Sequence, residues 1–190
     1  MDASLRLEQH ENGLVRTAQR GDRHAFGLLY EANVERVYRY VLSRTGDHAD
    51  AEDITAEVFV SAMRALPSYR PSGVPFVAWL FRIAHNESVN YMKKRSRRRE
   101  TSFEDAEPSG DDPEEAALDE AAYCEVMRAM SSLTDLQRQL INLRFAGELS
   151  ISETADVLMR SEGAVKSLQH SALGALRRSL EPRQEGIHGR

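Results

Sequence analysis

Arg82, Asn86, Asn90, Lys93 and Arg97 recur at intervals of four, four, three and four residues. At helical periodicity this spacing gathers them into one stripe, and Trp79 falls on the same side. Such a face suits nucleic acid, because cations meet phosphates, carboxamides reach base edges, and an aromatic ring stacks on an unpaired base. Trp79 has an equal claim to a place in the core, wedged under the preceding loop. Six of the seven positions from Lys93 to Arg99 are Lys or Arg, which reads as a phosphate-binding cluster ahead of a merely solvated surface.

A second grouping is SISETADVLMRSEGAVKSLQHSALGALRR, beginning at Ser150. A short helix from Ile151 to Met159, a tight turn at Arg160 and Ser161, and a longer helix from Glu162 have the spacing of a helix-turn-helix. In such a unit the second helix enters the major groove with its N-terminal residues near base edges. Ala155 is small where the two helices approach, and Val157, Leu158, Val165 and Leu168 suit the seam. A two-helix hairpin without a DNA role remains the alternative.

The third grouping, DAEDITAEVF, places Asp50, Asp53 and Glu57 along one edge of a helix whose Ile54, Val58 and Ala62 turn inward. Carboxylates at this spacing, with no glycine-containing ligand loop, make a poor calcium site, so a protein-docking edge is the better reading. The six histidines are scattered, and neither HExxH, GxSxG nor a glycine-rich phosphate loop occurs. No catalytic constellation, metal site or cofactor is expected.

These groupings need helices to position them. Apolar residues recur at three and four throughout, and sustained alternation is lacking, which predicts an all-α chain. A short first helix is expected over Leu14 to Gln19. A second follows from about His24 to Ser43 behind a Gly21-Asp22 break, with Phe26, Leu29, Val37 and Val41 inward, and a third from about Ala49 to Leu66. PSYRPSGVP, with three prolines and a glycine in nine residues, must be a loop. The cationic helix runs from about Phe76 to Arg98, with Phe76, Leu80, Ile83 and Tyr91 on its core side. A further helix, capped by Asp112 and Pro113, carries Leu118, Ala122, Val126, Ala129 and Leu133 inward. Thr134 with Gln137, and Ser150 with Glu153, read as capping boxes, and Ser161 caps the last helix, which runs through about Leu180.

Charge divides the 190-residue chain. Its net charge is -5, yet residues 100–125 hold 11 Asp/Glu and no Lys/Arg, leaving the remainder at +6. Two helical modules are therefore expected, 1–99 and 112–182, joined by a flexible acidic linker, 100–111, with a disordered tail, 183–190. A single cysteine, Cys124, excludes an internal disulfide. No apolar run is long enough for a bilayer, and the N-terminus lacks a secretory pattern, so a cytoplasmic protein without membrane insertion is expected.

Taken in order, DAEDITAEVF, FVAWLFRIAHNESVNYMKKRSRRR, SSLTDLQRQLINLRFAGELSISETADVL and SEGAVKSLQH resemble the extracytoplasmic-function (ECF, group 4) sigma factors of bacterial RNA polymerase. The resemblance covers about Leu14 to Leu180. It implies a four-helix sigma2-like bundle and a sigma4-like helix-turn-helix domain that bind core polymerase, recognise a promoter and help to open it. By this resemblance Asp50, Asp53 and Glu57 lie on the helix that docks on the clamp helices of the largest polymerase subunit. The loop with Ser68, Tyr69, Arg70, Ser72 and Gly73, and the face with Trp79, Arg82, Asn86, Asn90, Lys93, Lys94 and Arg97, would receive the -10 element and a flipped base. Ser161, Gly163, Ala164, Lys166, Ser167, His170 and Ser171 would meet the -35 element, while neighbouring helices touch the flap of the second subunit.

The resemblance also implies an anti-sigma partner, and a linker that passes through a basic polymerase channel without staying bound to promoter DNA. Some positions depart from the family pattern. Met159 falls where a turn glycine is frequent, Ala56 where Gln is, and Leu168 and Ser171 where Arg is, so weaker phosphate contact and a shallower salt dependence are expected. The main rival is a stand-alone helix-turn-helix regulator, against which stands the cationic stripe in the first module. A helical metallohydrolase lacks converging ligands, and a structural adaptor would leave the basic stripe without DNA.

Overall fold

The computed structural model describes the backbone of residues 3–70, 74–101 and 126–180, and the side chains of these residues apart from 3–10 and 98–101. Among the described residues no strand occurs, as the periodicity predicts. The first module comprises α1 (Ala3–Gln19), α2 (Arg23–Thr45), α3 (His48–Ala65), a 3-10 turn (Leu66–Ser68) and α4 (Phe76–Thr101). The Asp22 carboxylate caps α2 by accepting from the amides of His24 and Ala25, and Asp47 caps α3 through the amide of Asp50. Between them Gly46, at φ 69, ends α2 in the left-handed conformation that glycine adopts without steric cost. α1 is longer than its apolar pattern indicates, because good helix formers without a regular apolar stripe leave little periodic signal.

Val15, Leu29, Val37, Val41, Ile54, Val58, Leu80 and Phe81 fill the core of this module. Tyr40 and Phe81 meet edge to face at 5.4 Å in its centre. Burial pushes the Tyr40 phenol up to about 12. Trp79 is partly buried and lies 4.8 Å from the Tyr69 ring and 5.5 Å from Phe76, so its indole helps to close the core beneath the 66–70 loop. Gln19 of α1 pins that loop by donating to the carbonyls of Leu66 (2.9 Å) and Tyr69 (2.7 Å).

The second module begins with α5, described over 126–131, then α6 (Asp135–Ile141), a π-turn (Asn142–Ala146), α7 (Ile151–Leu158) and α8 (Glu162–Leu180). Both capping boxes read from the sequence are formed, and Ser161 Oγ accepts from the amide of Ala164 at 3.3 Å. Leu133, Leu140, Ile141, Ala155, Val165 and Ala172 form a second core. The acidic stretch from 102, the Asp112 and Pro113 cap and the 183–190 tail lie outside the described residues.

The modules are docked on each other. Leu143, Leu149 and Val157 of the second module belong to the same buried cluster as the core of the first. Arg36 of α2 donates to the carbonyls of Gly147 (3.0 Å) and Glu148 (3.2 Å), and Arg39 pairs with the Glu148 carboxylate at 2.9 Å. Gly147 is there for want of room, since a Cβ at this position would lie 2.6 Å from the Phe81 ring and 2.9 Å from the Leu143 carbonyl.

Candidate nucleic-acid interface

Five of the seven side chains assigned to the α4 face, Asn86, Asn90, Lys93, Lys94 and Arg97, are exposed. They share a helix whose opposite side is held by Phe76, Val77, Leu80, Phe81 and Ala84 in the core, so burial of one side fixes the direction of the other. The remaining two are engaged. Trp79 packs in the aromatic group just described. Arg82 is half-buried and donates from Nε to the backbone carbonyl of Asp156 at 3.2 Å, with a second, shorter bond from the same guanidinium.

In the preceding loop, Ser68 and Arg70 are exposed. Tyr69 is buried and donates its hydroxyl to the Val74 carbonyl at 2.7 Å, so its place is in the loop's foundation. Burial, with a contribution from Glu11, holds its phenol above the usual range. Ser72 and Gly73 lie outside the described residues.

The acidic edge of α3 divides as well. Asp53 and Glu57 point outward. Asp50 turns toward α4, where its Oδ2 accepts from Arg95 at 2.7 Å and its Oδ1 accepts from the Tyr91 hydroxyl. Loss of hydration, then the hydrogen bond and charge of Asp50, push the Tyr91 phenol up to about 12.

On the second module Ser161, Gly163, Ala164, Lys166, Ser167, His170 and Ser171 are all exposed, Ser161 just before α8 and the others in its N-terminal half. Val165 and Ala172 anchor the buried side of the helix. The turn before it is closed by Met159 at φ 54 and ψ 47, a left-handed residue that is not glycine. Arg144 braces α8 by donating to Gln169 at 3.0 Å, and Gln137 of the first capping box donates to Ser171 at 3.0 Å. Lys166 lies 3.5 Å from Glu162 one turn earlier.

Sequence reading missed the arginines that clasp the modules, Arg36 and Arg39, and the inward partner of Asp50. It also passed over Arg160, Arg177 and Arg178, three exposed cations beside and beyond the proposed reading face of α8. Their spacing relative to Ser167 and Ser171 was the available signal for the last two. Among the described residues no group of three or more His, Cys, Asp or Glu is placed to hold a metal ion. Among them, too, no helix is long and apolar enough to cross a membrane.

An all-helical chain with a cationic helix in one module and a helix-turn-helix in the other has the layout of a sigma-70-type transcription factor. The Sigma-70 region 2 family matches residues 29–98, and the Sigma-70, region 4 family matches residues 129–178. The ECF RNA polymerase sigma-E factor of Escherichia coli is 34% identical over 89% of this chain and 93% of its own length. The ECF RNA polymerase sigma factor BldN of Streptomyces coelicolor is 38% identical over 88% of this chain, which spans only 64% of BldN. Among solved structures, CnrH in complex with the cytosolic domain of CnrY superimposes with a TM-score of 0.69 at 28% identity, covering 90% of this chain and 97% of that one. The chain belongs to the ECF family of RNA polymerase sigma factors. Members of that family are transcription initiation factors and not enzymes.

Proposed function

We propose that this sigma factor acts in the cytoplasm, binds core RNA polymerase through the outer edge of α3, receives the -10 element on α4 and reads the -35 element with α8. What chiefly supports the reading is exposure. Asn86, Asn90, Lys93, Lys94 and Arg97 on α4, and Ser161, Lys166, Ser167, His170 and Ser171 at the start and on the outer face of α8, present polar groups to solvent on two modules at once. Cations there would hold phosphates, while Asn, Ser and His groups would meet base edges. Asp53 and Glu57 are exposed carboxylates of α3 that would face the polymerase clamp, Glu57 lying 3.8 Å from Arg64.

In this reading Arg82 reaches DNA only after α7 has moved from its carbonyl contact, so promoter engagement is coupled to separation of the modules. Purified full chain, added to bacterial core polymerase with a promoter library, is expected to select discrete start sites. Removal of Lys93 and Lys94 together should weaken promoter complexes while sparing core binding. Failure to confer start-site selection overturns the proposal.

We also propose an anti-sigma partner. CnrH, the structural neighbour, is bound by the cytosolic domain of CnrY. Here a groove of about 950 Å³ between the modules is lined by Leu42, Val89, Met130 and Ile141, with Met92, Met127 and Phe145 exposed along it. Apolar surface of this kind is what a regulatory protein covers.

A further inference from the structure

α4 has 26 residues, roughly 39 Å at 1.5 Å per residue. Its last buried side chain among those described is Ser88. From there the helix runs on through Lys93, Lys94 and Arg97; none of the described side chains from Val89 to Arg97 is buried, and Tyr91 is partly buried against the edge of the core. Polar contacts add to the packing of the Tyr91 ring in tying this end to the bundle. Tyr91 and Arg95, one turn apart, both reach the carboxylate of Asp50 in the first turn of the antiparallel α3. Asp50 is itself held by its N-cap, because its amide donates to Asp47 Oδ1 at 2.9 Å. Farther down the same pair of helices, Ser61 donates to Glu87 at 2.8 Å.

The Asp50 side chain is 21% exposed and that of Arg95 35%. Both oxygens of the carboxylate are occupied within the bundle, and a docking partner arriving on the outer edge of α3 meets Asp53 and Glu57 first. Arg95, within the basic cluster, is thereby committed to a carboxylate rather than to DNA.

We infer that Asp50 is a positioning residue for promoter engagement, clamping the cationic end of α4 through Tyr91 and Arg95 so that Lys93, Lys94 and Arg97 meet phosphates from a fixed helix. The inference rests on the assignment of α4 to the -10 element, and it separates Asp50 from the polymerase contacts at Asp53 and Glu57. A charge-assisted bond and its neighbour, discounted for partial exposure, correspond to about a five-fold effect.

The test uses the full chain, alone and as holoenzyme. In Tyr91→Phe, which leaves the outer edge of α3 unaltered, amide exchange over residues 91–97 should speed up about five-fold, open promoter complexes should fall about as much, and core affinity should stay within about two-fold. Asp50→Ala should behave alike. Combining Asp50→Arg with Arg95→Asp rebuilds the ion pair in reverse, and should recover promoter complexes relative to Asp50→Arg alone. Loss of core affinity in Asp50→Ala that the reversed pair does not restore, with Tyr91→Phe silent, would make Asp50 a polymerase contact and overturn the inference. Unchanged exchange and unchanged promoter complexes in both single variants overturn it also. If instead Lys93→Ala with Lys94→Ala leaves promoter complexes intact, the assignment of α4 to DNA fails, and the exchange measurement still decides whether Asp50 holds the helix end.

Discussion

The Nε of Arg82 donates to the backbone carbonyl of Asp156 at 3.2 Å, joining residues 74 positions apart. One guanidinium of α4, the helix proposed to face DNA, is thus held by α7, the helix that precedes α8. Asp156 registers the contact, since desolvation raises its carboxyl above the usual range while the Arg82 charge acts to lower it. The proposed DNA face of the first module and the corner of the second therefore meet at one interface.

Loosening that interface without touching either proposed DNA face is possible at Arg36. It donates to two carbonyls of the 147–148 turn, and its guanidinium lies 5.8 Å from the Phe81 ring centroid. Arg36→Ala should weaken docking by about 1 kcal/mol, less than is usual for hydrogen bonds to a charged group because one of them is exposed. Energy transfer between dyes on α1 and α8 of the full chain should fall, while transcription at saturating sigma factor is unchanged. Unaltered transfer would mean that the apolar contacts of Leu143, Leu149 and Val157, with the Arg39–Glu148 and Arg82–Asp156 contacts, hold the modules without Arg36.

Gly147 tests the closeness of the same contact. An added methyl would meet the Phe81 ring, the Leu143 carbonyl and the Leu149 side chain, at 2.6, 2.9 and 3.1 Å. Backbone cannot yield as a flexible side chain does, so Gly147→Ala should cost about 1–3 kcal/mol. Gly163→Ala is the control. Nothing lies within 4 Å of its added methyl, and replacing a helical glycine should stabilise by about 0.5–1 kcal/mol. Thermal denaturation of the two variants should shift in opposite directions.

Much of this architecture could be read along the chain because its determinants are local. Asp22, Thr134 with Gln137, Ser150 with Glu153, and Ser161 act over two or three residues, and each forms the cap that its spacing announces. The exposed side of α8 and most of the α4 stripe follow from periodicity in the same way. Arg82, Asp50 and Gly147 behave differently. Their partners lie 74, 41 and 111 positions away, at Asp156, Tyr91 and Arg36. Helical spacing reports which side of a helix a residue occupies, but not which other helix will cover that side. Tyr69 is a case of the same kind: a loop residue expected to meet DNA is buried, its hydroxyl donating to Val74 and its ring against Trp79.

Met159 turns the corner between α7 and α8 at φ 54, a conformation that costs an ordinary L-residue about 1 kcal/mol relative to glycine. Its side chain is 80% exposed, so little packing offsets that cost. Met159→Gly should therefore raise the unfolding midpoint of the full chain by roughly 0.5–1 kcal/mol in free energy, the gain being limited by glycine's greater freedom when unfolded. Binding to the -35 element should be preserved, because the cap at Ser161 is independent of residue 159. A lower midpoint in denaturant would show that the methionine side chain stabilises the corner through contacts of its own.

His85 gives the docked arrangement a dependence on pH. Its Nδ1 lies 3.3 Å from the Tyr40 hydroxyl of α2 and 3.1 Å from Gln139 Nε2 of α6. Both can donate to a neutral ring, and a proton on Nδ1 would remove their acceptor. Arg44 of α2, with Asp135 and Arg138 of α6, lines the same groove. Burial first, and Arg44 second, hold the imidazole below its usual value of 6.5. As pH falls through 6.5, a separated or unfolded chain takes up a proton that the docked ring resists, so docking weakens; it is regained as pH rises. Asp156 works in the opposite sense, since a raised carboxyl favours the docked form on protonation, but toward the more acidic carboxylate range. Energy transfer between the modules should accordingly decline from roughly pH 7.5 to 6, the range in which histidine titrates. His85→Asn keeps a polar acceptor without a titrating group, and should flatten the response. A decline of equal size in His85→Asn would assign it to other groups and remove His85 from the coupling.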